Sequence, residues 1–104
     1  PNIHIDDLVN VYRHFLANAD LPSGAYNAGF ENISILDIAE MVRDRTGAEI
    51  VLTPSNDSRS YRQNSDKLVA TGFSPTKTVA DAIEEVLHSL RSGQLEDRDE
   101  WYTV

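Results

Sequence analysis

The residues best suited to chemistry lie in one stretch, Thr53 to Lys67, TPSNDSRSYRQNSDK. It holds two arginines, Arg59 and Arg62, with Tyr61 between them, followed by Asn64 and Lys67. A guanidinium presents a planar fork of donors that matches two oxygens of a phosphate. Arg59 and Arg62 are therefore candidate binders of an anionic group such as a phosphate. The competing reading is that both lie on the surface and pair with the acidic background. Tyr61 is placed either to stack on a ring or to pack onto the core. Asn64 is placed either to touch a ligand or to cap a short helix. Lys67 is either a phosphate contact or an ordinary exposed lysine.

Other candidates are weaker. Asp6 and Asp7 are adjacent, and consecutive residues at a helix start point in different directions, which suits a cap and a dipole partner better than a catalytic pair. His4, His14 and His88 are scattered, with no metal-ligand spacing such as the HExxH pair, so no metal site is expected. The glycines at 24, 29, 47, 72 and 93 are isolated and form no GxGxxG phosphate cradle.

These groups need elements to position them. Ile3 to Ile5 alternates as a short strand. Asp6 or Asp7 then caps a helix over roughly Leu8 to Ala19. Ala25 to Ala28 reads as a second strand. Ser34 with Asp37 forms a capping box for a helix whose buried face is Ile35, Ile38, Ala39 and Val42, and Gly47 supplies its exit. Glu49 to Leu52 is a third strand, ended by Pro54. Asn64 or Ser65 caps a short helix stopped by Gly72. Thr78 with Asp81 caps the last helix, whose apolar face is Val79, Ile83, Val86, Leu87 and Leu90. Single strands separated by helices predict an α/β fold with three short strands and three main helices.

The 104 residues carry a formal charge of −8 and include no cysteine. Disulfides and thiolate chemistry are excluded. An acidic surface repels a phosphate backbone, so no nucleic-acid partner is expected. No apolar run approaches a membrane span, and the expected compartment is the cytoplasm. The sequence opens at Pro1 without methionine, and the Ile3 alternation runs off that end, which predicts a processed chain or a fragment. Residues 94–104 form an acidic tail bearing Trp101 and Tyr102, and residues 1–93 form the body.

The order of several short segments resembles the C-terminal portion of the extended short-chain dehydrogenases/reductases, the NAD-dependent nucleotide-sugar epimerase/dehydratase family. Ile3-His4-Ile5-Asp6-Asp7-Leu8 is similar to its IHVDDL segment. Tyr26-Asn27-Ala28-Gly29 with Glu31 and Ser34 is similar to its YNxG region. Asp57-Ser58-Arg59-Ser60-Tyr61 leading to Asp66-Lys67 is similar to its substrate-phosphate segment. Gly72-Phe73-Ser74-Pro75 with Thr78-Val79 is similar to its LGFxP close. Two features depart from the family: no arginine precedes Asp57, and Asn64 stands where its DxxK stretch opens.

That resemblance implies a substrate-binding fragment that lacks the N-terminal Rossmann lobe and is inactive alone. The longer protein would be an NAD-dependent isomerase or dehydratase, with NAD or NADP held in the missing lobe and no cofactor held by this segment. Arg59, Tyr61, Arg62, Asn64 and Lys67 would grip a nucleotide-sugar substrate, with no catalytic residue among them. The first helix would expose apolar area and drive homodimer formation. The alternative is a small acidic protein-interaction domain without catalytic activity.

Overall fold

The computed structural model describes residues 1–56, 59–96 and 98. Among them the regular structure is four helices: α1 (Ile5–Ala17), α2 (Ile35–Thr46), α3 (Asp66–Val69) and α4 (Val79–Arg91). No strand occurs among the described residues. The nearest approach to a sheet is one isolated antiparallel bridge between Asn2 and Glu31, closed by Asn2 N–H on the Glu31 carbonyl and Phe30 N–H on the Asn2 carbonyl, both 2.9 Å. No helix among the described residues is long and apolar enough to cross a membrane.

This corrects the α/β expectation and its three strands. Ile3-His4-Ile5 does not continue as a strand because His4 ends the extended segment by capping α1. Its Nδ1 accepts the Asp6 N–H at 3.1 Å, and the helix begins at Ile5. The cap is thus the imidazole rather than Asp6 or Asp7. The segment from Glu49 to Leu52 has strand composition but pairs with none of the described residues, and Val51 and Leu52 stay exposed. β-propensity expresses packing against neighbouring strands, so it has no effect where none exist.

The starts of α2 and α4 follow the sequence closely, whereas α1 begins at Ile5 and not near Leu8. Ser34 and Asp37 make the full capping box of α2, and Thr78 and Asp81 that of α4. Gly47 closes α2 with φ of 74°, a left-handed position that a side chain would strain. At α3 the side-chain cap is Asn64, whose Oδ1 accepts the Asp66 N–H at 2.8 Å. Ser65 holds the formal cap position but turns its hydroxyl to Gly29, accepting from its N–H at 3.0 Å and donating to its carbonyl at 2.9 Å.

The buried hydrophobic side chains are Val11, Leu68 and Phe73, with Ile3, Phe15, Tyr26, Ala28 and Phe30 packed against them. This core joins α1 to α3 and the segments around them. The radius of gyration is 16.7 Å, against about 13 Å for a close-packed chain of this size. The chain does not wrap itself around one centre. Helices α2 and α4 pack side by side, yet neither contributes a buried residue.

Candidate functional site

One polar latch fixes α4 relative to α1. Asp7 is 1% exposed. Its carboxylate accepts the Thr76 N–H at 3.0 Å, the Thr76 hydroxyl at 2.9 Å and the Lys77 N–H at 2.9 Å. Burial alone would raise its pKa. The donors from Lys77 and Thr76, aided by nearby His4, outweigh that penalty and hold the group below its ordinary value. Glu31 adds a second anchor by accepting the Val79 N–H at 2.6 Å, at an open donor of the α4 N-terminus.

Beside the latch lie His4, Asp6 and Glu85, with ligand atoms within 4.8 Å of one another. Since His4 Nδ1 accepts from the backbone, its proton is assigned to Nε2, which donates to Glu85 at 3.1 Å. The other Glu85 oxygen accepts from Lys77 Nζ at 2.6 Å. That contact raises the Lys77 pKa and lowers that of Glu85. Both imidazole nitrogens and both Glu85 oxygens are therefore engaged. A cation would have to break the α1 cap or compete with the Lys77 ammonium, so the cluster reads as a tie between the N-terminal segment and α4.

This tie borders an apolar cleft of about 440 Å³. Its α4 wall is Val79, Ala82, Ile83, Val86, Leu87 and Leu90. Ile38 and Val42 of α2 face that wall, and Asn2, Ile3 and His4 close the remaining side. Arg45 spans from α2 to the Glu84 carboxylate and also donates to the Met41 carbonyl at 2.9 Å. Carboxylates outnumber bases on the two helices. Asp37, Glu40, Asp44, Asp81, Glu84 and Glu85 stand against Arg43, Arg45 and Arg91.

The polar residues singled out in the sequence lie elsewhere. Lys67 donates to the Ala25 carbonyl at 2.8 Å and sits over the Tyr26 ring, 4.2 Å from its centroid. Asn64 caps α3, and its amide nitrogen donates to Asp66 at 2.8 Å. These two are occupied by contacts within the chain. Arg59, Tyr61 and Arg62 are exposed on the irregular segment before α3. Asp57 and Ser58, which precede them, lie outside the described residues, as do Trp101 and Tyr102 of the acidic tail.

Sequence reasoning missed the Asp7 latch and the cleft. The α4 stripe from Val79 to Leu90 signalled an apolar face correctly, but the periodicity could not say that the face would remain uncovered. Asp7 gave no signal, because its partners lie about seventy residues away in sequence.

The resemblance to the extended short-chain dehydrogenases/reductases is overturned by the fold. Four helices and no strand among the described residues leave no Rossmann-type sheet and no α/β sandwich for such a family to share. The NAD-dependent epimerase/dehydratase activity, the isomerase assignment and the NAD or NADP cofactor rested on that fold and fall with it. No protein-family model matches the chain, and no solved structure matches it.

Proposed function

We propose that this chain is a non-catalytic, acidic interaction module that takes one amphipathic, basic-flanked helix into the cleft along α4. The observation that carries this reading is the cleft itself. A continuous apolar wall from Val79 to Leu90 is flanked by Ile38 and Val42, in a region where α2 and α4 bury nothing fully. From Val79 to Leu90 the wall runs about 17 Å at the helical rise. That accommodates anchors at i, i+3 or i+4, and i+7 of a docked helix. The excess of carboxylates on both helices favours lysine or arginine beside those anchors, mainly through steering and register.

The test uses a fluorescein-labelled Leu/Lys amphipathic helix and a scrambled peptide of identical composition, followed by anisotropy. The amphipathic peptide should bind at least about tenfold more tightly than the scrambled one, since losing apolar anchors costs more than a kilocalorie each. Val86→Asp in the cleft should abolish that difference. Equal binding of the two peptides would mean that bulk charge alone is being read, and would overturn the proposal.

A further inference from the structure

Helix α1 carries a second apolar surface, on the side turned away from the core. Ile5, Val9, Tyr12 and Leu16 are 65%, 49%, 68% and 84% exposed. Their spacing of four, three and four residues is the seam of a two-helix coiled coil, with Ile5 and Tyr12 at d positions and Val9 and Leu16 at a positions. Such a run on a water-facing helix is unusual, because isolated exposed apolar residues need no explanation but an aligned row does.

The flanks of this row identify its occupant. Asp6 and Arg13 are seven residues apart and share the e position. Both are exposed, and Arg13 makes no ion pair or hydrogen bond with any described residue. The opposite flank, at g, is Leu8 and Phe15, both half-buried. In an antiparallel pair the e positions of the two helices face each other, and so do the g positions. Centring two copies so that Val9 meets Tyr12 of its partner also sets Ile5 against Leu16. The same register brings Asp6 beside Arg13 of the other copy, twice by symmetry. Leu8 then lies beside Phe15 on the apolar flank. A parallel pair offers no such charge match, because it sets e positions beside g positions of the partner, which places Arg13 beside Leu8 and keeps Asp6 and Arg13 apart.

The geometry points to an antiparallel homodimer through α1, sealed by the Ile5–Val9–Tyr12–Leu16 row and put in register by two symmetric Asp6–Arg13 pairs. A two-fold interface of this kind is self-complementary, as the single row and its one acid and one base require. The local balance of charge explains how a chain of −8 can meet its own copy, for this face carries one carboxylate and one guanidinium. The apolar row shares no residue with the α4 cleft, and Asp6 reaches the edge of that cleft, 3.9 Å from His4 Nδ1. The Arg13→Glu arm therefore tests the dimer independently of the peptide-binding reading.

Sedimentation equilibrium across a concentration series tests it through charge exchange. The unaltered chain should show a monomer–dimer equilibrium. Arg13→Glu alone places acids opposite acids, and Asp6→Lys alone places bases opposite bases. Each should weaken the dimer by roughly tenfold or more. Mixing the two variants pairs Lys with Glu and Arg with Asp, and should restore association as a heterodimer. Circular dichroism on each variant confirms that α1 still forms. A monomer at every concentration, a dimer indifferent to Arg13→Glu, or a mixture that fails to recover would each overturn the inference.

Discussion

The α1–α3 half and the α2–α4 half use the same helix signals and end in opposite states. In the first, a four-residue helix with no side-chain cap from its own cap residue buries Leu68 completely. In the second, two helices of 12 and 13 residues, each with a full capping box, bury no residue fully. Capping fixes where a helix starts, because it satisfies backbone donors locally. It says nothing about what the apolar face will meet. Stability in the first half comes from tertiary contacts, and the second half presents a formed but open apolar wall.

That contrast can be broken most directly at Leu68. Leu68→Ala should cost about 2–5 kcal/mol in urea unfolding, the range for deleting a buried leucine. The matching truncation in the other half, Ile83→Ala, should cost less than half of that, because its side chain is only partly covered. Equal losses would erase the distinction between the two halves.

The next effect is at Asp7. Asp7→Asn sets an amide where three donors converge and should destabilise by about 1–3 kcal/mol. The same residue gives a pH signature. Its folded pKa lies below the unfolded one, so its contribution is present above the usual aspartate range and is lost as pH falls through the folded value. Acid unfolding followed by circular dichroism should therefore be less steep in Asp7→Asn. An unchanged slope would remove Asp7 as the source.

Thr78→Ala should cost about 1 kcal/mol, the usual loss for a helix cap. It should also loosen the cleft, since the α4 start would lose its box with Asp81. Val86→Asp sits at the smallest end. At a half-exposed position it should change unfolding free energy by no more than about 0.5 kcal/mol, while removing peptide binding. A large loss of stability there would show that the cleft is core rather than docking surface.

What could be read in the chain follows the same division. The capping boxes Ser34–Asp37 and Thr78–Asp81, the Gly47 exit and the α4 apolar stripe were legible because each depends on residues a few positions apart. The strands were not. Glu49-Ile50-Val51-Leu52 has the right side chains, but a strand exists only through a partner, and no described residue pairs with it. The family resemblance misled for a related reason. IHIDDL and SPTKTVAD read here as a histidine cap, an inward aspartate and a capping box, and such helix starts carry no information about a sheet. Asn64 was legible as a cap. Lys67 could not be placed, because its carbonyl acceptor at Ala25 and the Tyr26 ring are about forty residues away in sequence.

The central claim is that α2 and α4 form an open receptor for an amphipathic basic helix, distinct from the closed core. Amide and methyl NMR spectra of the chain, recorded while the Leu/Lys helix is added, test it residue by residue. The account predicts saturable shifts at Ile38, Val42, Ile83, Val86 and Leu90, with Leu68 and Phe73 unmoved. Shifts confined to scattered carboxylates, or spread equally through the Leu68 core, would contradict it.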